Sequence, residues 1–399
     1  MGETLETPGR IEPCCLEVVS EEISGLVAML AARSAKLGAR LRPKTAAHLA
    51  DLVRIVNCYY SNLIEGHDTN PRDIERALGG ELAEEAGRRA LQVEAAAHVQ
   101  VQRAVDGMAA AGRLPEPASV DFVRWLHREF YRDVPPDMLH VGNGERPFEM
   151  EPGAFRTRPE HDVVVGRHVP PSSERVDDFM RHFESRYRFA SMGPDTRIMA
   201  MAAAHHRLAY IHPFPDGNGR VARLMSHAMA HAAGVGACGL WPISRGLALG
   251  LSSHGEYGRM MDYADTPRQG ALDGRGNLSL RALTEFSAWF LRVCVNQVTF
   301  MDALVDPDRL RERLRAYVER DERLRPEAGL ILNEVLSTGE MVRGDTARVT
   351  GLTEQAAGDL LGTLTDDGIL ASDTTMGPVS FRFTVHVAEI LLPGLLPQA

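Results

Sequence analysis

Lysine is almost missing from this 399-residue chain: only Lys36 and Lys44 occur, and arginine carries the rest of the positive charge. That imbalance is a habit of composition, not a sign of function. An excess of basic residues is missing too. Asp and Glu outnumber Lys and Arg by 54 to 44, for a formal net charge of −10, which argues against broad binding to nucleic acid or acidic lipid. Cysteine is scarce. Cys14, Cys15, Cys58, Cys238 and Cys294 are odd in number and no pair stands at metal-binding spacing. A disulfide framework is therefore not expected, and a reducing, cytoplasmic setting is. No apolar run approaches the length of a membrane span. Residues 1–16 hold acids and prolines without an apolar core, so they do not read as a signal peptide.

Hydrophobic residues make up 44% of the chain, enough to bury cores in two or three domains. Residues 1–20 read as poorly ordered. Residues 21–115 are rich in Ala and Leu at helical spacing, broken near Gly38, Pro43, Asn70-Pro71 and Gly79-Gly80, with Ile55, Tyr59 and Leu63 on one stripe. A second helical block, 116–300, opens with Phe122, Trp125, Leu126 and Phe130 as core candidates. Gly142, Gly144, Pro147, Pro152 and Gly153 then punctuate the chain. Val163, Val164 and Val165, with Gly166 and Val169 after them, predict a small β-hairpin. Asp306-Pro307 is a helix start and opens a connector, 301–325. In 326–399 three short helices precede two strands, 369–371 and 379–385, an order that predicts a winged helix. The expected fold is mostly α.

One segment concentrates chemistry: His212-Pro213-Phe214-Pro215-Asp216-Gly217-Asn218-Gly219-Arg220-Val221-Ala222-Arg223. Gly217 and Gly219 lack a Cβ, so phosphate oxygens can approach the backbone closely. A helix starting near Asn218 aims free N–H groups and positive dipole charge at the same place. Arg220 and Arg223 stand three apart on one face of that helix. Asp216 is a hard oxygen ligand suited to Mg2+, and His212 can take a proton near neutral pH. The inventory suits holding a polyphosphate and transferring part of it. His205 and His206, just upstream, read as core histidines, and Tyr257 and Tyr263 as packing residues.

The segment fills every defined position of H-x-F-x-(D/E)-G-N-G-R-x-x-R and so resembles the signature of the Fic family. The resemblance extends over roughly residues 45–300, and it implies a Fic helical core with a hairpin flap. Fic proteins typically transfer AMP from ATP to a hydroxyl of a protein side chain. The resemblance implies His212 as base toward a Ser, Thr or Tyr hydroxyl, Phe214 packed inward, and Asp216 on Mg2+. It implies Gly217, Asn218 and Gly219 as an anion nest, Arg220 on the transferred or leaving phosphates, and Arg223 on the γ-phosphate. Val163–Val165 would be the target-docking flap. Ser61-Asn62-Leu63-Ile64-Glu65-Gly66 resembles the family's inhibitory motif, (S/T)-x-x-x-E-(G/N). Glu65 is then expected to pair with Arg223, with Ser61 on the same helical face and Gly66 at the helix end.

Implied partners are ATP and a protein target, or the chain itself through auto-modification or a homodimer; no membrane is implied. The rival enzyme uses another nucleotide or removes AMP. The rival of another class is a winged-helix binding regulator. Its recognition helix near 353–365 holds Glu354 and Asp359 with no Lys or Arg, which argues against DNA.

Overall fold

Side-chain caps set where many helices begin. Ser20, Asn70, Ser119, Ser279, Asp306, Thr353 and Thr384 each accept a backbone N–H two or three residues on, satisfying donors that a first turn leaves free. Pro43, Pro71, Pro194 and Pro307 stand in first turns, where the missing N–H costs nothing.

The computed structural model of the chain describes residues 6–67, 69–142 and 148–397. Gly144 and Pro147 lie outside them. The helices of the first half are α1 (Glu21–Gly38), α2 (Pro43–Ile64), α3 (Pro71–Leu78), α4 (Ala86–Ala110), α5 (Val120–Phe130), α6 (Val176–Arg186), α7 (Pro194–Ile211) and α8 (Asn218–Ala232). Then come α9 (Ile243–Leu249), α10 (Glu256–Ala264), α11 (Leu280–Leu304), α12 (Pro307–Arg320), α13 (Ala328–Thr338), α14 (Thr346–Thr350), α15 (Glu354–Asp366) and α16 (Val385–Leu391). Strands β1 (His140–Val141) and β2 (Phe148–Glu149) pair antiparallel, as do β3 (Leu370–Ser372) and β4 (Val379–Phe381). The fold is mostly helical, as expected.

At the centre α7 packs on α8, and α4 and α5 cover α8 from outside. α7 is apolar enough to be buried on almost every side, from Ile198 to Ile211. α2 lies on α4 and α9, and α1 runs along α11. Ile55 is buried while Leu63 is exposed, so the α2 stripe leaves the core just before the helix ends. In the C-terminal part α13, α14, α15 and the β3–β4 hairpin occur in the predicted order, and Met341 forms one isolated bridge with Val379. The buried apolar side chains form one continuous cluster from Ile11 to Leu396.

Four expectations need correction. Residues 6–16 are packed, not disordered: Ile11 and Cys14 are fully buried. Arg207 donates to the Pro13 carbonyl at 2.9 Å and Tyr187 to that of Cys14 at 2.9 Å. Those partners are 194 and 173 residues away, so local composition could not announce them. The 163–169 hairpin shrinks to one bridge, Val165 with His168, while a true hairpin sits upstream at β1–β2. The last strand stops at Phe381 because Thr384 caps α16. The connector helix stops at Arg320, and its Leu310, Leu314 and Val318 are buried, so it belongs to the core.

Buried histidines make this core sensitive to acid. Burial holds His98, His127 and His205 down at about 3. Their folded-state pKa values lie below the unfolded value of ~6.5, so the unfolded chain binds more protons between the two, and stability is lost as pH drops through that window. Calorimetry at pH 7, 6 and 5 is expected to show a steadily falling thermal midpoint. A midpoint that stays level over that range would contradict the neutral burial of these rings.

Candidate active site

The signature residues from His212 to Arg223 meet at the turn between α7 and α8, and the end of α2 brings Ser61 and Glu65 to them. His212 ends α7 in the left-handed conformation, φ 51° and ψ 61°, a costly geometry for a residue with a Cβ. Arg156 holds it there. This arginine is 1% exposed and donates to the carbonyl oxygens of His212 at 2.6 Å, Ile211 at 3.0 Å and Pro171 at 2.6 Å. Its own backbone N–H donates to the Pro213 carbonyl at 2.9 Å. Burial, with the Arg156 and His168 charges beside it, lowers the His212 pKa to about 4, and the ring is hydrogen-bonded to the Ala209 carbonyl. A neutral imidazole with its N–H spent on a carbonyl leaves the other nitrogen free to accept a proton.

Phe214 is fully buried. It stacks on the His127 ring with centroids 3.9 Å apart and tilts against Phe155 at 5.1 Å. His127 accepts from the Gly153 N–H at 2.8 Å and donates to the Asp216 carbonyl at 3.3 Å, which ties the loop to α5. Asn218 closes the loop on itself: its amide accepts from the Phe214 N–H at 2.8 Å and donates to the Phe214 carbonyl at 2.7 Å. Its side chain thus braces the loop, and Gly217 and Gly219 are left to open the helix N-terminus. Gly217 sits at φ +75°, and a Cβ there would lie 2.8 Å from the Tyr131 hydroxyl oxygen. At Gly219 a Cβ would lie 2.2 Å from Glu65 Oε1.

The Asp216 side chain is half exposed. One oxygen, Oδ2, accepts from the Tyr131 hydroxyl at 2.8 Å and from Arg220 Nη2 at 3.2 Å. Its other oxygen is the kind of hard donor that a cation such as Mg2+ would take. Arg220 is buried, and burial lowers its pKa to about 10. It lies over Phe130 at 4.9 Å and is ion-paired with buried Glu94. Arg223, 1% exposed, donates to Ser61 Oγ at 2.8 Å, to the Ser61 carbonyl at 3.2 Å and to Glu65 Oε1 at 2.5 Å. Burial alone would raise the Glu65 carboxyl, but Arg223 holds it below its ordinary value. Gly66 comes next at φ +80° and ends the helix as expected.

Residues 117–230 match the family model described as Fic/DOC family. That segment, which holds the signature, is similar to this family. A protein adenylyltransferase Fic of Aedes aegypti is 39% identical over 85 residues, which is 21% of this chain and 16% of that protein. Its namesake of Nematostella vectensis is 39% identical over 87 residues, 21% of this chain and 19% of that protein. The matched stretch is therefore less than a fifth of either relative's length. A Fic family protein of Desulfovibrio desulfuricans G20 resembles the chain in fold, with a TM-score of 0.53 at 16% identity over 92% of this chain and 98% of that one.

Around the Fic signature the structure adds residues that sequence reasoning missed. Tyr131 and His127 come from α5, Glu94 from α4 and Arg156 from the loop before α6. No local pattern marks the first three. Arg156 stands in the 153–156 run that resembles the family's flap, but its reach to His212 across 56 positions is not local. Val163–Val165 lie outside the α7–α8 turn. Val164 is 69% exposed, and the segment borders a cleft of about 750 Å³ that also touches Phe148 and Pro215 of the signature. His205 is a core histidine, bonded to Ser226 at 2.8 Å and to the Tyr257 hydroxyl at 2.8 Å. His206 pairs with Asp265 at 3.0 Å. Among the described residues no helix is long and apolar enough to cross a membrane.

Replacing Arg156 with Met tests its bracing role. Three buried carbonyls would lose a donor at about 1–3 kcal/mol each, so a clearly lower thermal midpoint is expected by calorimetry. An unchanged midpoint would show that the signature loop holds its shape without it.

Proposed function

We propose that the chain is a protein adenylyltransferase that moves AMP from ATP to a Ser, Thr or Tyr hydroxyl and is held back by Glu65. The observation that carries the transfer is the convergence of a neutral imidazole, a carboxylate and two guanidinium groups on one helix N-terminus. The His212 nitrogen takes the hydroxyl proton. The hydroxyl oxygen then bonds to the α-phosphorus as the bond to the pyrophosphate oxygen breaks. Asp216 would hold Mg2+, which neutralises phosphate charge and orients the leaving group. The α8 N-terminus and Arg220 stabilise charge where it develops, a matter of positioning and electrostatics. The names of the Aedes and Nematostella relatives support this reading.

Inhibition rests on the Glu65–Arg223 pair. Glu65 occupies the guanidinium that would otherwise hold the γ-phosphate, and its carboxylate sits against Gly219 where phosphate would pass. The exposed Val163–Val165 segment supports docking of an extended target by strand addition. A DNA-binding role for residues 326–399 finds little support. α15 presents Glu354, Asp359 and Asp366, and Arg382 is already ion-paired with Asp373. The domain division, a catalytic core at 116–300 served by an inhibitory region at 21–115, belongs to the same proposal.

Intact-mass spectrometry of protein incubated with each nucleoside triphosphate and Mg2+ tests the whole reading. Glu65→Gly is expected to gain the mass of AMP from ATP faster than wild type. His212→Ala in that background should lose roughly 10²–10⁴ in rate. Val164→Pro should slow modification of a target while auto-modification persists. A Glu65→Gly protein no faster than wild type ends the inhibitory reading, and an adduct from another nucleotide alone ends the choice of ATP.

A further inference from the structure

α8 does not spend all its polar residues on the signature. Arg220, Arg223, His227 and His231 succeed one another at helical spacing along one stripe, and the last two have no part in the transfer chemistry. His227 and His231 stand four apart, so their rings share a face. α4 brings Asp106 to them. His227 Nε2 lies 2.6 Å and His231 Nε2 2.9 Å from the same oxygen, Asp106 Oδ1. One donor atom from each of the three side chains falls within 4.8 Å of the others.

We propose that Asp106, His227 and His231 bind a borderline divalent transition-metal ion such as Zn2+, at a site separate from Asp216. Two imidazole nitrogens from adjacent turns of a helix and one carboxylate oxygen form a three-point donor set. This N2O chemistry favours zinc and its neighbours over magnesium. Bonds of about 2.0–2.1 Å at a tetrahedral centre place ligand atoms roughly 3.3 Å apart. The present spacings of 2.6 and 2.9 Å would need to open by about half an ångström. Each ring would bind through Nε2 and carry its proton on Nδ1, so no charge is lost from the pair.

The surroundings fit a built site. Asp106 and His227 are buried, and His231 is 10% exposed. Arg54 donates to the other carboxylate oxygen, Asp106 Oδ2, at 2.7 Å, which orients Oδ1 without occupying it, as partners of metal-bound carboxylates do. The backbone closes in where only glycine fits. A Cβ on Gly236 would lie 2.5 Å from His231 Nδ1, and one on Gly239 3.2 Å from Asp106 Oδ2. Access is through a surface cleft of about 320 Å³ that His231 lines with Glu116, Phe189 and Arg197. That cleft offers an entry path and room for a water or anion as fourth ligand. A second cluster, Glu12, Cys14 and His182, is weaker. Glu12 is already held by Arg186, and burial pushes the Cys14 thiol up to about 12.

A bound ion would clamp α4 to α8. Those helices carry Glu94 and Arg220, which are ion-paired, so the clamp would stiffen the catalytic arginines' support without touching substrate.

The test uses the full chain, stripped with chelator and dialysed, with ZnCl2 or CoCl2 as the only additions. Calorimetry and elemental analysis are expected to give one ion per chain, and zinc to raise the thermal midpoint. X-ray absorption of the zinc form, and the Co2+ visible spectrum, should show nitrogen and oxygen ligands without sulfur. His231→Ala should weaken zinc binding by about 100-fold or more, while Cys238→Ser leaves it unchanged. Absence of stoichiometric binding would overturn the proposal and leave a plain hydrogen-bonded network in which both rings donate to Asp106. Wild-type affinity in His231→Ala, or sulfur among the ligands, would overturn it as well. The spectra of the wild-type protein decide the matter even if the variant fails to fold.

Discussion

The buried guanidinium of Arg223 is the point on which the site depends. It joins two parts of the chain that sequence keeps 158 residues apart: the end of α2, through Ser61 and Glu65, and the second turn of α8. A charge buried this deeply must be paired, so the pair fixes where α2 ends relative to the helix N-terminus. Everything that would handle phosphate is then measured from that contact. Glu65 is partly exposed, and so one partner of the pair can be exchanged. On the proposed reading a triphosphate tail is the competing anion, and inhibition and substrate binding use the same hydrogen-bond donors.

A second constraint is the backbone at His212. A left-handed residue directly after α7 turns the chain so that the imidazole and the α8 N-terminus face one region. That conformation is held by Arg156 from below, by the Asn218 amide from within, and by the stacked rings of His127 and Phe214. These are rigid supports, suited to a reaction that depends on positioning. Tyr131 extends the same logic to Asp216, since its hydroxyl leaves one carboxylate oxygen engaged and the other available.

The signature could be read in the sequence because its chemistry is local. Twelve consecutive residues hold the histidine, the carboxylate, the glycines and both arginines, and a helix starting at Asn218 is their consequence. Glu65 was legible for a similar reason, since Ser61 and Gly66 mark its helix face and end. The supports were not legible. Glu94, His127, Tyr131 and Arg156 act only through contacts between distant elements, and any of them could equally have been a surface residue by local pattern. The order in residues 6–16 was missed on the same ground, because a strap with little periodicity is held by Arg207, Tyr187 and Arg186 of other helices. The expected hairpin at 163–169 was an error of strength: three β-branched residues favour extension, but with a single bridge they do not make a strand.

The central claim is that Glu65 withholds Arg223 from the triphosphate tail, and nucleotide affinity tests it most directly. With Arg223 engaged, the γ-phosphate finds no grip, so wild-type protein should bind ATP and ADP about equally well in calorimetry with Mg2+. Removing the carboxylate by Glu65→Gly should open a preference for ATP of about tenfold, or ~1.4 kcal/mol. Equal ATP-to-ADP ratios in the two proteins would contradict the account.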